Sequence, residues 1–389
     1  MKPPVGNWNY PTRVRFGAGR IRELPAACRE LGVTRPLLVT DPGLAGSPLF
    51  SDACGILQAA GLPVEVFSAL KANPVGANLA AALDVYRTGG CDGVIAFGGG
   101  SALDVGKTVG LMAGQSRPLW DFEDVGDNYL RADPDGIAPI IAVPTTAGTG
   151  SDLGRAAMLI NEEEARKVIL FHPRMLPAQV IMDPALTVGL PPHLTAWTGM
   201  DALAHSLEAY CAPGYHPLAD GIAVEGMRLV HDYLPVAYAD GGDLEARGHM
   251  LAAAGMGAAA FQKGLGAIHS LSHPVGAHYD THHGRTNAVF MPYVLAFNRP
   301  AIATRIAAVA RYLALPAPDF DGFLAWILSL RAALGIPHTL AGLGVDDRDV
   351  DRIAAEAEHD PSTPGNPVPV TATELKQIFL DALSGRLPA

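Results

Sequence analysis

The chain has 389 residues, of which 49% are hydrophobic and 17% charged, and its formal net charge is -11. Its length exceeds the usual size of a single core, so we expect two domains, and its apolar content argues against disorder. The acidic excess, with no run rich in lysine and arginine, argues against nucleic-acid binding.

The first half of the chain alternates β-rich runs with segments of helical length. The β-rich runs occupy residues 35–41, 62–69, 92–100 and 138–146. Such alternation predicts a largely parallel sheet covered by helices. We therefore expect an α/β domain at residues 1–186.

The third run leads into the sequence GGGSALDVGK, which begins at Gly98 and opens a helix at Ser101. Glycines let the backbone approach a phosphate closely, and a helix N-terminus supplies free N–H groups, so this segment predicts a phosphate cradle. Its spacing matches neither the GxGxxG fingerprint nor the Walker P-loop. A tight strand-to-helix turn without a ligand is the alternative.

Two further segments fit a dinucleotide site. Asp41 ends an earlier strand, where its carboxylate can accept hydrogen bonds from a ribose and disfavour a 2'-phosphate. The loop PTTAGTGSD at 144–152 follows another apolar strand and offers short hydroxyl side chains and backbone amides. The alternatives are a turn residue before Pro42 and a loop without a ligand.

Beyond residue 187 the sequence consists of consecutive helical stretches, with no alternating strand pattern between them. The stretches cover 193–211, 217–238, 243–261, 265–273, 301–314, 319–334, 347–356 and 371–384. We therefore expect an all-helical bundle at residues 187–389.

The helical half also carries a histidine cluster and a nearby carboxylate. Asp201 precedes His205 by one helical turn, which places both on one helix face. The segment AIHSLSHPVGAHYDTHHG contains the cluster, which consists of His269, His273, His278, His282 and His283. Imidazoles and a carboxylate suit a divalent first-row metal with an open position for substrate. Spacing alone favours His269 with His273 as a chelating pair and does not choose among the other three.

The chain resembles the iron-containing (group III) alcohol dehydrogenases in four segments that occur in the family's order. These segments are GGGSALDVGK, AVPTTAGTGSD, TGMDALAHSLEAY and AIHSLSHPVGAHYDTHHGRTNAVFMPYV. The resemblance extends from PTRVRFGAG near the N-terminus to NPVPVTATELKQIFLDAL near the end. It implies the dehydroquinate synthase-like fold of this family, with an N-terminal dinucleotide-binding α/β domain, an all-α C-terminal domain and an active site in the cleft between them.

The resemblance also assigns site residues. It implies that the metal ligands are Asp201, His205, His269 and His283. His273 is left on the substrate side as the candidate catalytic residue, since an imidazole can relay a proton to solvent. The cofactor-binding positions that carry over are Asp41, Asn73, Gly99, Gly100, Ser101, Asp104, Thr145, Thr146, Thr149 and Lys167. Phe261 matches an aromatic position near the nicotinamide and the substrate, and His278 and His282 gain no role.

The activity implied is the interconversion of a small primary alcohol and its aldehyde, with NAD as hydride carrier and Fe(II) as metal. Zn(II) or another divalent ion also suits three histidines and an aspartate. The chain departs from the family pattern at Arg155 and Lys263, and at Asp152, where the family usually has glutamate. Positive charge from Arg155 and Lys263 would favour an anionic substrate end, as in a 4-hydroxybutyrate-like dehydrogenase. Ordinary ion pairs at both positions are the favoured alternative.

Other enzymes of the same fold are less consistent with these residues. Dehydroquinate synthases and glycerol-1-phosphate dehydrogenases also combine a nicotinamide cofactor with a metal, but their phosphate-bearing substrates call for more basic residues around the cleft. Maleylacetate reductases share the fold without the metal, which the four ligand positions oppose. A non-catalytic metal-binding protein that retains the fold is the remaining alternative, because a fold does not fix a function.

Assembly and location follow from the resemblance and the composition. The family implies a homodimer, with the strand around Val14 to Phe16 pairing across subunits. The four cysteines lack CxxC spacing, the N-terminus lacks the pattern of a secretion signal, and no apolar run approaches the roughly 20 residues of a membrane helix. We therefore expect a cytoplasmic protein without a membrane segment.

Overall fold

The computed structural model describes residues 12–164 and 166–388. Contacts among the residues divide the chain into two compact units, with the boundary between Gly189 and Leu190. Residues 12–189 are called the N-terminal unit below, and residues 190–388 the C-terminal unit. Each unit has its own architecture.

The N-terminal unit is built on a six-stranded parallel sheet and a two-stranded antiparallel hairpin. The strands are β1 (Arg13–Phe16), β2 (Pro36–Val39), β3 (Glu65–Phe67), β4 (Gly93–Gly98), β5 (Ile140–Pro144), β6 (Ala156–Asn161), β7 (Arg166–Phe171) and β8 (Gln179–Met182). The large sheet has the order β1-β8-β5-β4-β2-β3, and β6 pairs with β7 in the hairpin. The predicted parallel α/β sheet is therefore confirmed.

Both faces of the large sheet are covered, which explains why its strands are rich in apolar residues. The helices are α1 (Leu24–Glu30), α2 (Pro42–Ala45), α3 (Pro48–Ala59), α4 (Gly76–Thr88) and α5 (Gly100–Met112). Leu38 and Ile95 pack on one face with α1 and α3, whereas Leu37 and Val94 pack on the other face with α4, α5 and the hairpin. Side chains of successive strand residues alternate between faces, so each strand contributes to two cores.

The sheet has a topological switch point between β2 and β4. The chain moves from β2 to β3 at one edge, then returns to pair β4 with the opposite side of β2 and continues in that direction to β5. In open parallel sheets, ligands bind beyond the carboxyl ends of the strands at such a point. The segments that follow β2 and β4 are therefore placed at the position expected for a ligand.

The sheet has more strands than the four predicted from composition. Only the family resemblance indicated β1, and the pattern analysis missed β6, β7 and β8. The strand β8 reads QVIM and lies between Pro177 and Pro184. Such a short run gives little periodicity of its own, and its pairing with β1 and β5 supplies the partners that make it a strand.

The C-terminal unit is helical, as predicted, and its described residues contain no strand. Its helices are α6 (Pro192–Cys211), α7 (Pro217–Ala239), α8 (Leu244–Ala260), α9 (Ala267–Tyr279), α10 (His283–Tyr312), α11 (Phe320–Ala333), α12 (Val350–Glu358) and α13 (Ala372–Ser384). The helix α6 packs against α7, α8 and α10, and α9 packs against α10 and α12. None of the described helices is long and apolar enough to cross a membrane.

The expected helix at 301–314 is wrong in its start, because α10 already begins at His283. The helix continues through Pro292 and Pro300. A proline inside a helix removes one backbone hydrogen bond and usually marks a boundary. Here the surrounding turns bury large side chains such as Phe290 and Tyr293, and this burial outweighs the local cost.

Candidate active site

Three helices of the C-terminal unit bring the predicted metal ligands together. Asp201 and His205 lie one turn apart on α6, His269 lies in the first turn of α9, and His283 begins α10. Asp201, His205 and His269 are buried and offer ligand atoms that lie within 4.8 Å of one another. His283 adjoins this group, since its Nε2 is 3.6 Å from Asp201 Oδ1.

The spacing of these atoms fits a divalent ion. Metal bonds of about 2.1 Å in a tetrahedral arrangement separate ligand atoms by roughly 3.4 Å. The Oδ1 atom of Asp201 is 3.6 Å from His283 Nε2 and 4.0 Å from His269 Nε2. Three imidazoles and one carboxylate suit Fe(II) and Zn(II) alike. His273 is not part of the compact group found among the described residues.

A glycine allows α10 to approach α6 closely enough to form this group. A Cβ atom at Gly284 would lie 2.3 Å from the Trp197 carbonyl oxygen and 2.9 Å from Asp201 Cβ. Any side chain at this position would push α10 away from α6. Gly284 therefore permits the contact between His283 and Asp201.

Glu208 is a site residue that the sequence analysis missed. Its Oε2 accepts a hydrogen bond from His269 Nδ1 at 2.6 Å, and its Oε1 accepts one from Ile268 N at 2.7 Å. An ionised carboxylate only accepts, so the ring hydrogen of His269 is on Nδ1 and the lone pair on Nε2 faces the ligand group. Burial opposes protonation of the ring, but the Glu208 and Asp201 carboxylates outweigh it and raise the pKa of His269.

Asn287 is a second such residue. Its Nδ2 donates to Asp201 Oδ1 at 2.8 Å and lies 3.2 Å from His269 Nε2 and 3.1 Å from His283 Nε2. After the bond to Asp201, the NH2 group has one hydrogen left for these two imidazoles. The side chain of Asn287 thus contacts three of the four candidate ligands. Its position one turn after His283 was a usable sequence signal.

The other histidines of the cluster have separate surroundings. His273 Nδ1 donates to Asp360 Oδ2 at 2.7 Å, and the His273 ring stacks on that of His283 with centroids 5.3 Å apart. Burial opposes ionisation of Asp360, but His273 outweighs it and lowers the pKa of Asp360. His278 Nε2 lies 2.9 Å from a carboxylate oxygen of Glu356 on α12. His282 precedes α10 as its N-cap residue.

The residues following α8 contact the ligand group on one side. The Phe261 ring lies against that of His205, with centroids 5.2 Å apart. Lys263 is nearly buried and donates to Asp220 Oδ1 at 2.6 Å. Its charge is therefore compensated within the protein, as the ion-pair alternative predicts.

In the N-terminal unit, the loops after β2, β4 and β5 meet at the switch point. The helix α5 has Gly99 as its N-cap, a residue without a side chain to cover the first N–H groups. A Cβ at Gly100 would lie 2.8 Å from Thr149 Cγ2, and one at Gly98 would lie 3.5 Å from Asp41 Oδ2. A side chain at either glycine would fill the space between these loops. This cradle suits the phosphates of a dinucleotide.

The remaining predicted cofactor residues lie in this cradle or in segments that contact it, with one exception whose side chain is engaged elsewhere. Ser101 Oγ donates to the carbonyl of Ala72, next to Asn73. Lys167 on β7 is paired with Ile160, whose backbone N–H donates to Pro74 O. Thr145 and Thr146 follow β5, and Thr146 lies beside Gly99. The exception is Asp104, whose side chain is already engaged by the protein.

Asp104 belongs to a buried charge cluster. Its Oδ1 accepts from Ser151 Oγ at 2.5 Å, its Oδ2 accepts from Met158 N at 3.0 Å, and Lys107 Nζ is 3.5 Å away. These bonds fix the loop of residues 145–151 against α5. Asp104 therefore stabilises the loop of the cradle through these contacts. Burial lowers the pKa of Lys107, although the charges of Asp104 and Asp152 oppose this.

Asp152 is buried, and its Oδ2 has no hydrogen-bond partner among the described residues. Desolvation raises the pKa of Asp152 from 3.8 to about 6, and the charge of Lys107 offsets this only in part. The folded protein then binds more protons than the unfolded chain between these pH values. The contribution of Asp152 to stability therefore falls as pH rises from about 4 to about 6.

The variant Asp152→Asn tests this expectation. Relative to the wild type, its free energy of unfolding should rise between pH 4 and pH 7, by up to about 3 kcal/mol at 1.36 kcal/mol per pKa unit. Urea unfolding of both proteins across this range gives the difference, in which any pH-independent cost of the asparagine cancels. Asp84→Asn, at an exposed position on α4, is the control. Parallel pH curves for wild type and D152N would refute the expectation.

Arg155, which the sequence placed among the candidate substrate residues, lies in the N-terminal unit. Its guanidinium carbon lies 5.5 Å from the centroid of the Phe171 ring on β7. It also interacts with the charge of Asp124. Burial raises the pKa of Asp124, and the charge of Arg155 offsets this only in part. The side chain thus has partners within its own unit.

Comparison with known proteins gives matches over both units. The sequence pattern described as "Iron-containing alcohol dehydrogenase" matches residues 11–184, and that described as "Fe-containing alcohol dehydrogenase family, C-terminal" matches residues 195–383. A 4-hydroxybutyrate dehydrogenase of Cupriavidus necator is 38% identical, over 95% of the chain and 98% of the relative. An NAD-dependent methanol dehydrogenase of Bacillus methanolicus is 34% identical, over 97% of the chain and 100% of the relative.

Solved structures give the same picture. A 1,3-propanediol oxidoreductase superimposes with a TM-score of 0.92 at 33% identity, covering 97% of this chain and 100% of that one. A sulfoacetaldehyde reductase of Bifidobacterium kashiwanohense, solved with NAD+, superimposes with a TM-score of 0.88 at 28% identity, covering 98% and 100%.

Proposed function

Because the chain belongs to the iron-containing alcohol dehydrogenase family, we propose that it is a metal- and NAD-dependent alcohol dehydrogenase. Its substrates are a small primary alcohol and the corresponding aldehyde. The observation that carries this proposal is the group formed by Asp201, His205, His269 and His283 on three helices. A divalent ion held there would polarise the substrate oxygen, and NAD would supply the acceptor or donor of the hydride.

The roles proposed for the protein's own residues follow from their contacts. Asp201 and the three imidazoles would hold the ion, and Glu208 would keep the Nε2 lone pair of His269 directed at it. His273 lies beside His283 and takes up the proton that the alcohol loses. Phe261 supplies an apolar surface against His205, which suits the carbon chain of a neutral alcohol.

The proposed cofactor is NAD, with Fe(II) or Zn(II) as the metal. The glycine cradle at the start of α5 is suited to the diphosphate, and Asp41 lies beside it at the end of β2. A carboxylate at that position accepts from ribose hydroxyls and repels a 2'-phosphate. Asp41 therefore supports the use of NAD over NADP.

Steady-state kinetics test the activity. We expect NADH formation from C2 to C6 primary alcohols, and oxidation of NADH by the corresponding aldehydes, after anaerobic loading with Fe(II) or Zn(II). Rates with NADP+ and NADPH should be much lower. If no alcohol or aldehyde is turned over with either metal, the non-catalytic alternative replaces the proposal. A preference for NADPH would remove the role of Asp41.

An anionic semialdehyde, with 4-hydroxybutyrate as the alcohol, is the second candidate substrate. The similarity to a 4-hydroxybutyrate dehydrogenase favours it. The two basic residues that prompted the idea do not, because Lys263 pairs with Asp220 and Arg155 lies over Phe171. A higher kcat/KM for 4-hydroxybutyrate than for 1-butanol would establish this second candidate.

We also propose that the protein is a cytoplasmic homodimer. Among the described residues, the strand β1 is an edge of the large sheet and exposes Val14 and Phe16, which suits pairing with another copy. Cys28, Cys54, Cys91 and Cys211 are all free thiols, as a reducing compartment favours.

A further inference from the structure

The segment of residues 360–366 runs along α9 and contacts it at intervals of three residues. This 360–366 segment lies between α12 and α13. The contacts are Asn366 Oδ1 with Ala267 N at 3.2 Å, Thr363 Oγ1 with Ser270 Oγ at 2.7 Å, and Asp360 Oδ2 with His273 Nδ1 at 2.7 Å. A segment near the end of the chain thus holds the helix that carries His269 and His273.

The contact between Asp360 and His273 also determines which ring nitrogen of His273 carries the hydrogen. Both side chains are nearly buried, with 10% of Asp360 and 6% of His273 exposed. The other oxygen of Asp360 accepts from Ser362 N at 2.8 Å, which holds the carboxylate in one orientation. Since a carboxylate only accepts, the ring hydrogen of His273 is on Nδ1. The lone pair of the neutral ring is therefore on Nε2.

The place of the ring makes this lone pair relevant to catalysis. The His273 ring stacks on His283 with an interplanar angle of 11°, and its centroid is 5.9 Å from that of His269. The ring thus adjoins two candidate metal ligands but is itself bonded to a carboxylate. In a buried site, a base works only if its lone pair is on the nitrogen that faces the substrate.

We propose that Asp360 is a positioning residue that keeps His273 protonated at Nδ1 and so presents Nε2 as the base for the alcohol proton. The proposal rests on the proposed function. During oxidation, the alcohol O–H bond breaks and its proton bonds to Nε2, while the hydrogen of the C–H bond leaves with its electron pair for NAD+. Asp360 balances the charge of the imidazolium until the proton passes to solvent. Reduction of an aldehyde uses the same groups in reverse.

A double-mutant cycle of Asp360→Asn and His273→Gln tests the link between the two residues. The amide of the D360N variant can donate to Nδ1, which moves the ring hydrogen to Nε2 and removes the base. We expect D360N to lower kcat about 10²-fold with little change in KM for the alcohol. In the H273Q background, D360N should cause no further loss. Equal losses in both backgrounds would overturn the proposal.

The tautomer of the His273 ring can be measured in the absence of catalysis. In protein with ¹⁵N-labelled histidine, the His273 signals, identified by their loss in H273Q, should show an Nδ1-bonded hydrogen in the wild type. The D360N variant should shift the hydrogen to Nε2, and Asp360→Glu should restore Nδ1 in part. An Nε2-bonded hydrogen in the wild type would overturn the proposal even if the D360N and D360E variants do not fold. Since the signal does not depend on activity, it also separates failure of this proposal from failure of the proposed function.

Glu356→Gln is the matched control. It alters another carboxylate–imidazole pair between α12 and α9, that of Glu356 with His278 at 2.9 Å. We expect kcat and the His273 signals to stay at wild-type values in E356Q. A loss equal to that of D360N would assign the effect to packing of α12 on α9 and contradict the positioning role.

Discussion

Replacing Asp201 by asparagine is expected to lower kcat/KM for alcohol oxidation by at least about 10³-fold and to remove most of the bound metal. Asp201 supplies the carboxylate of the candidate ligand group, and a neutral amide oxygen binds a divalent ion far more weakly. A bound ion contributes several kcal/mol of charge stabilisation, and each 1.4 kcal/mol is a factor of about ten. Elemental analysis of anaerobically purified protein and steady-state kinetics measure both effects.

The same variant has a readout in stability. Metal binding should raise the melting temperature of the wild type, because an ion that binds the folded state stabilises it, and this rise should be absent in D201N. His278→Gln is the control, since His278 belongs to the same cluster but pairs with Glu356. We expect H278Q to retain metal and activity. Full metal content in D201N would exclude Asp201 as a ligand.

Replacing Glu208 by glutamine is expected to weaken metal affinity by about 10- to 100-fold. Glu208 accepts two hydrogen bonds, one from Ile268 N and one from His269 Nδ1. A glutamine has a single acceptor oxygen, so if this oxygen bonds Ile268 N, the amide NH2 faces Nδ1. The ring hydrogen of His269 then moves to Nε2, where it blocks the metal. Competition with a chelator of known affinity measures the change.

The variant Asn366→Ala separates this effect from simple loosening of α9. Asn366 accepts from Ala267 N at the start of the same helix but does not contact an imidazole. We expect N366A to lower the melting temperature of the protein and to weaken its metal affinity less than E208Q does. If N366A weakens metal binding as much as E208Q does, the role of Glu208 is to anchor the helix and not to set the form of the ring.

The sequence was informative about the site where partners are close along the chain. The spacing of Asp201 and His205 on one helix face predicted a shared site, and Glu208 continues the same face of α6, so extending the pattern by one turn would have found it. Spacing also favoured His269 with His273, whereas the structure groups His269 with Asp201 and His205. Asp360 had no local signal, because the packing of α12 against α9 brings it to His273.

Elements of the fold were likewise predicted where the sequence carries a local signal and missed where it does not. The buried runs that became β4 and β5 were recognisable from composition, and so were most helices of the C-terminal unit. The hairpin of β6 and β7 was not, since apolar residues such as Met158 and Ile160 occupy partly exposed positions and hide the alternation in the sequence, and β6 packs on α5 rather than joining the sheet. The unbroken helix α10 was also missed, because local rules place a boundary near Pro292 and Pro300.

The contacts of the 360–366 segment with α9 also order events during synthesis of the protein. The candidate ligands all occur between residues 201 and 283, so a growing chain contains them several seconds before it contains Asp360, at about 5–20 residues per second. Ions that meet the nascent chain therefore encounter ligands whose helix is not yet held in place. The contacts that hold α9 in place are therefore added only after every candidate ligand has been synthesised.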